Sequence, residues 1–192
     1  QQYNIKLFTS SKAASTDKIT LDYYKELQQR YGCIFLAAAG NDGDEGVTGW
    51  WTKYNTAIAV GAVQFVNEQV KVLSFSAVGE ELDFVAFMGA YSGTSYSSPC
   101  LTAMIALLLN KYGDFNQTEC VEILKSISQD LGDTGFDTSY GYGLPILPLT
   151  SNLPKLDELR GNNPPVEPEP EDPENGGEDM SFSDVESDRW SK

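Results

Sequence analysis

Residues 33–39 read Cys-Ile-Phe-Leu-Ala-Ala-Ala, an unbroken apolar run. It is short enough for a strand, and a strand without a polar face is one covered on both sides, as in parallel sheets. The residues before it support that reading. From about Asp17 to Tyr31, the side chains of Leu21, Tyr24, Leu27 and Tyr31 recur every three to four positions. That spacing predicts a helix with one apolar face, and Gly32 supplies its stop. Residues 4–8 (Asn-Ile-Lys-Leu-Phe) read as a short strand ahead of the helix. Strand, helix and strand in succession predict an α/β fold with a parallel sheet.

Further along, residues 57–63 predict a second buried strand, residues 64–73 a hairpin around Asn67-Glu68, and residues 82–86 another strand. Residues 95–112 form a helical pattern that is apolar nearly all round (Leu101, Met104, Ile105, Leu107, Leu108, Leu109), which predicts a core helix. Pro99 falls in its first turn, where a missing N–H costs nothing. Asn116 with Glu119 three residues later predicts a capping box opening a third helix, with Val121, Leu124 and Ile127 inward. After about Leu149 the character changes. Residues 164–179 are rich in proline and acid and poor in anything that builds a core, which predicts an extended, solvated spacer. No internal repeat is present.

The 192 residues suffice for one sizeable domain, and 41% hydrophobic content is ordinary for a globular chain. The net charge of −15 argues against a nucleic-acid partner, because phosphate is repelled by such a surface. From Thr150 onward, twelve acidic residues face only Lys155, Arg160, Arg189 and Lys192, so more than half of that excess lies in the tail. No apolar stretch reaches the roughly 18 residues of a membrane span. Cys33, Cys100 and Cys120 each lie in apolar runs without C-x-x-C spacing, which predicts buried, inert thiols. There is no histidine. The chain starts at Gln1, directly in strand-like sequence and without a signal peptide, and so reads as a fragment.

Two short motifs carry candidate chemistry. Gly93-Thr-Ser-Tyr-Ser-Ser-Pro99 puts Ser95 at the N-terminus of the apolar helix, where free N–H groups and a partial positive charge favour a developing oxyanion. Gly93 lets the chain turn sharply there and lets a substrate approach. Gly-Thr-Ser before a helix is equally a plain cap. Residues 40–49 form a polar, glycine-rich loop beyond the carboxyl end of the 33–39 strand, where open parallel sheets place their sites. Within it Asn41 can aim its amide at a tetrahedral intermediate, and an asparagine also suits a tight turn.

In order, Ala37-Ala-Ala-Gly-Asn-Asp-Gly43, Ile58-Ala-Val-Gly-Ala-Val63, residues 75–86 from Phe75 to Ala86, Gly93-Thr-Ser-Tyr-Ser-Ser-Pro99 and Tyr140-Gly-Tyr-Gly-Leu144 closely resemble the second half of the subtilisin family over residues 3–149. The resemblance implies a partial subtilisin-like fold: three layers, with a mostly parallel twisted sheet flanked by helices. It implies a serine endopeptidase in which Ser95 forms an acyl-enzyme and Asn41, with the Ser95 N–H, forms the oxyanion hole. It also places Leu7, Gly49, Trp50, Gly93 and Thr94 at the substrate groove, with a polypeptide as substrate. Leu7 and Trp50 serve equally well as packing residues.

The sequence departs from the family pattern in three places. The aspartate and histidine of the triad are absent; in subtilisins both precede all the motifs found here, so a missing first half accounts for them and the chain as given is expected to be inactive. Lys6 and Phe8 stand where the family has small residues. Between Ala86 and Gly93 the chain has only Phe-Met-Gly-Ala-Tyr-Ser, where most relatives carry a longer loop. The alternative reading is a non-catalytic scaffold of the same fold that binds a peptide or partner. Family members often bind structural calcium, but no cofactor or metal ligand set is assignable here. Finally, Ser181-Phe-Ser-Asp-Val-Glu-Ser-Asp-Arg-Trp190 resembles the opening of an S-layer homology module. That implies residues 1–149 as peptidase, 150–180 as linker and 181–192 as a truncated module that holds an extracellular protein to a bacterial cell-wall polymer.

Overall fold

The computed structural model describes residues 5–12, 18–43, 46–47, 56–148 and 158. Strand β1 (Leu7–Ser10) leads to helix α1 (Lys18–Tyr31) and strand β2 (Ile34–Ala38), the predicted succession. The first strand begins later than residue 4, because its partner β2 begins only after the turn at Gly32 and the register opens at Leu7↔Ile34. The Gly32 N–H donates to Gln28 O at 3.0 Å and closes α1. All five residues of β2 are buried. Ile34 and Leu36 pack on one face of the sheet, while Phe35 and Ala37 face Tyr24 and Leu27 of α1 on the other. Leu21 is buried as expected, but Tyr31, in the last helical position before the chain turns away, is 39% exposed.

Strand β3 (Ile58–Val66) turns through Asn67 and Glu68 into β4 (Gln69–Val72). Both turn residues have positive φ (49° and 66°), the backbone of a two-residue hairpin whose twist matches its strands. β5 (Phe84–Phe87) starts two residues later than predicted, since the Asp83 carboxylate accepts the Ala59 N–H (2.7 Å) just before the ladder opens at Val60↔Phe84. The pairs β1–β2, β2–β3 and β3–β5 are parallel and only β3–β4 is antiparallel.

Helix α2 (Thr94–Tyr112) crosses the sheet face opposite α1 and buries Leu101, Ile105 and Leu108. It is not the all-round core helix its composition predicts. Leu107 is 61% exposed, and Ala103 and Ala106 are exposed beside it, because the described residues cover only the sheet-facing stripe. Helix α3 (Gln117–Ser126) opens with the predicted capping box: Glu119 N–H donates to Asn116 Oδ1 and Asn116 N–H to Glu119 Oε2, both at 2.9 Å. Leu124 is fully buried, and Val121 and Ile127 pack partly against the same core. A small antiparallel pair, β6 (Ser128–Gln129) and β7 (Leu144–Pro145), which the sequence pattern did not announce, closes the fold beside β5. The result is three layers: α1, a mostly parallel sheet, and α2 with α3. Each fully buried Leu, Ile or Phe in these layers contributes about 1.5–3 kcal/mol.

Cys33 and Cys120 are buried as expected, and burial pushes both thiols up, so they stay protonated. Cys100 departs from the expectation: it is exposed, on the uncovered side of α2. Apart from residue 158, the spacer at 150–180 and the motif at 181–192 lie outside the described residues, as do Gly49 and Trp50.

Candidate active site

The parallel strands bring two loops together at the carboxyl end of β2. Beyond Ala38 the chain runs through Gly40 to Asn41, and Ala77 N–H donates to Gly40 O (3.0 Å) while Gly43 N–H donates to Phe75 O (2.9 Å). Gly43 is required here. Its φ is +60°, and a Cβ would stand 2.8 Å from the Ser74 carbonyl oxygen, closer than atoms tolerate. The loop is therefore pinned on its outer side by residues 74–77.

On its inner side it is pinned by the start of α2. Thr94 N–H donates to Asn41 Oδ1 (2.9 Å), and Thr94 Oγ1 lies 3.1 Å from the same oxygen and 3.2 Å from both Gly40 N and Gly40 O. A backbone N–H only donates, so this atom of Asn41 must be the acceptor. That orientation frees both protons of Nδ2 to donate elsewhere. Gly93, at φ +125°, makes the turn into the helix, and a Cβ there would meet the Asn41 amide at 3.7 Å. Thr94 and Gly93 are buried, Ser95 is half-buried and Asn41 is exposed.

Of the first donors of α2, Thr94 N–H goes to Asn41 and Tyr96 N–H to Gly93 O (3.0 Å). The Ser95 N–H between them has no acceptor among the described residues. The Ser95 hydroxyl donates to the Ser11 carbonyl (2.9 Å), and the Ser11 hydroxyl donates to the Ser95 carbonyl (2.8 Å). Ser11, Ala38, Gly40, Asn41, Asp42, Thr94 and Ser95 line an open cleft of about 180 Å³. Beneath it, Thr9 Oγ1 and Ser98 Oγ share a hydrogen bond of 2.9 Å that ties β1 to α2.

Four of the residues singled out by sequence thus meet in one place: Asn41, Gly93, Thr94 and Ser95. Leu7 does not join them; it packs partly against the core cluster under α2. Ser11 escaped sequence reasoning, because its bond to Ser95 joins positions 84 apart and an isolated serine carries no signal. Chemically, a hydroxyl at a helix N-terminus beside a free amide and a free N–H suits acyl transfer, where negative charge develops on a carbonyl oxygen. No group of three or more Asp, Glu or Cys side chains is placed to hold a metal ion among the described residues. No helix among them is long and apolar enough to cross a membrane.

A mostly parallel sheet with flanking helices, carrying a serine at the start of a crossing helix next to an asparagine at a strand end, defines a subtilisin-like fold. The family model of the subtilases, peptidase S8, matches residues 7–143, and the chain belongs to that family. It is 33% identical to subtilisin NAT of Bacillus subtilis subsp. natto over 73% of this chain and 39% of that protein. It is 32% identical to the subtilisin of Bacillus pumilus over 73% of this chain and 54% of that protein. The chain therefore spans about half or less of the length of these relatives. Among solved structures, fervidolysin from Fervidobacterium pennivorans, a keratinolytic enzyme related to subtilisin, shares the fold with a TM-score of 0.65. That match has 20% identity over 83% of this chain and 27% of that one.

Proposed function

We propose that the chain carries the nucleophile half of a serine endopeptidase site, with Ser95 as nucleophile and Asn41 in the oxyanion hole. The observation that carries this reading is the bond from Thr94 N–H to Asn41 Oδ1. It orients the neighbouring amide as a donor beside the serine, as a developing oxyanion requires. Ser95 Oγ attacks the scissile carbonyl, and its proton passes to a base. The carbonyl oxygen becomes an oxyanion held by Asn41 Nδ2 and the Ser95 N–H. Collapse expels the amine, which takes the proton from the base, and water then hydrolyses the acyl-enzyme. In subtilisin, the reference system for this effect, losing the oxyanion-hole asparagine costs about 10²–10³ in turnover.

A serine hydroxyl is a poor nucleophile without a base, and these 192 residues contain no histidine. The base and the aspartate that orients it are therefore supplied by polypeptide outside this sequence, and the chain alone is inactive. A fluorophosphonate probe tests this directly. The complete protein should be labelled at Ser95 and the present chain should not. Absence of labelling in a folded complete protein would leave the non-catalytic scaffold as the better reading.

Gly93 and Thr94 line the substrate groove in this proposal, with Gly49 and Trp50 as further wall residues and a polypeptide as substrate, while Leu7 serves as a packing residue of the core under α2. Residues 1–149 form the peptidase portion, 150–180 the linker and 181–192 the start of an S-layer homology module. That module would place the protein outside a bacterial cell, held to cell-wall polymer. The motif around Phe182 and Trp190 supports this assignment, and co-sedimentation of the complete protein with purified cell wall checks it; full solubility in that assay sinks it.

A further inference from the structure

Strand β1 and the segment that follows it are fastened to the start of α2 by two rungs of hydroxyl contacts. Thr9 Oγ1 meets Ser98 Oγ at 2.9 Å, and Ser11 and Ser95 exchange bonds of 2.8 and 2.9 Å. The spacing suits both rungs. Residues two apart on an extended chain point the same way, and residues three apart on a helix share a face. Ser10 stiffens the end of the segment, with its hydroxyl 3.2 Å from Lys12 O and 3.3 Å from Lys12 N. Ser11 is thereby held against Ser95 at the wall of the open cleft.

The direction of one of these bonds bears on the reaction outlined above. A serine hydroxyl has a single proton, and that of Ser95 is given to the Ser11 carbonyl. An amide carbonyl accepts a hydrogen bond but does not take up the proton at neutral pH, as a general base must. While the bond stands, Ser95 Oγ is not presented to a base and stays a poor nucleophile. The Ser11 hydroxyl closes the contact from the other side by donating to the Ser95 carbonyl, which keeps its own carbonyl within reach. Both bonds are open to water and therefore weak, so a base placed beside Ser95 is able to tip the balance.

We propose that the Ser11 carbonyl is an autoinhibitory latch, which holds the Ser95 hydroxyl in a resting state until a base draws it away. This rests on the peptidase reading and adds a regulation of the same site. The nucleophile is masked in a chain that lacks the base and becomes available once the base stands beside it.

Two measurements test the latch. In the present chain, the Hα–Hβ couplings of Ser95 should report one dominant side-chain rotamer, and averaging between rotamers in Ser11→Ala. In the complete protein only the unlatched fraction reacts, so the rate of fluorophosphonate labelling scales with it. Ser11→Ala should therefore be labelled about two- to tenfold faster, the weight of one exposed hydrogen bond. Ser11→Thr, which keeps the hydroxyl, should return to the native rate. The direction separates a latch from a brace, because losing a residue that merely positions Ser95 slows labelling. Native protein that labels, with Ser11→Ala equal or slower, overturns the latch and leaves the enzyme. Averaged Ser95 rotamers already present in the native chain do the same. No labelling of either protein removes the peptidase reading and the latch with it, whereas labelling seen only in Ser11→Ala is the latch at its strongest.

Discussion

Ser95 and Ser11 exchange hydrogen bonds across 84 residues of sequence, each hydroxyl donating to the other's carbonyl oxygen at 2.9 and 2.8 Å. The Ser95 hydroxyl proton is thus held by a backbone acceptor from the segment after β1. Ser10 braces that segment, its hydroxyl lying 3.2 Å from Lys12 O and 3.3 Å from Lys12 N. Both serine bonds are open to water, so each contributes about 0.5–1.5 kcal/mol at most. Ser11→Ala and Ser95→Ala are each expected to cost no more than about 1 kcal/mol in urea unfolding. The double variant should cost less than the sum, since losing either bond slackens the strap the other needs. Strict additivity would show that the two bonds act independently.

Asn41 and Thr94 should behave differently, because their contact is partly buried. Thr94→Val leaves Asn41 Oδ1 its backbone donor but removes the hydroxyl that faces Gly40 at 0% exposure. The expected cost is about 1–3 kcal/mol, largely recovered by Thr94→Ser. Asn41→Asp keeps an acceptor for Thr94 N–H and replaces the donating amide with a negative charge. In the complete protein it should fold normally while kcat/KM for a peptide substrate falls at least as far as the about 10²–10³ seen for loss of the donor alone. Unchanged kcat/KM would remove Asn41 from the oxyanion hole.

Gly43 tests whether loop position matters at a distance from the chemistry. Gly43→Ala forces a side chain into φ +60° and against the Ser74 carbonyl oxygen. A cost of about 2 kcal/mol or more in stability is expected, from left-handed strain plus the clash. In the complete protein, kcat should fall further than KM rises, since the displaced loop carries Asn41. A change confined to stability would show that the loop recovers its place.

How much of this was legible beforehand depended on how local the cause was. The capping box of α3, the Asn67-Glu68 hairpin and the alternation of Ile34, Phe35, Leu36 and Ala37 between two cores are set by residues a few positions apart. Their patterns read correctly. The α2 pattern was misread because apolar residues record what a helix is able to bury, not what is present to cover it. The Ser11–Ser95 exchange was invisible for a related reason: two serines become partners only once β1 and α2 are packed together. Asn41 was singled out by its motif, but the bond that orients its amide was not legible there.

Asp83 gives the fold a pH dependence. Its carboxyl is pushed up to about 6, mainly by burial, with the Ala59 N–H and the Lys125 charge opposing the shift. A carboxyl that is easier to protonate in the folded chain than in the unfolded one, at 3.8, means the folded state holds more protons between those values. Stability from this group is therefore present below about pH 4, falls as pH rises to about 6, and stays low above it. At about 1.36 kcal/mol per pKa unit the ceiling is about 3 kcal/mol, and the remaining contact of Asp83 with water lowers it. Asp83→Asn retains an acceptor for Ala59 N–H and should flatten that part of the profile while leaving the chain equally or more stable at pH 7. A slope that survives the substitution would assign it to another group.

The two faces of α2 offer the sharpest contrast in stability. Ile105 is fully buried among the strands of the sheet, and Ile105→Ala should cost about 2–5 kcal/mol through lost burial and the cavity left behind. Leu107, two positions on and 61% exposed, gains little from its neighbours. Leu107→Lys should change the unfolding free energy of this chain by less than about 0.5 kcal/mol and reduce its tendency to aggregate. The same substitution in the complete protein distinguishes two situations. If the outer stripe of α2 stays in water there, the effect remains small. If polypeptide outside this sequence covers it, a buried lysine replaces a packed leucine and the cost rises to several kcal/mol.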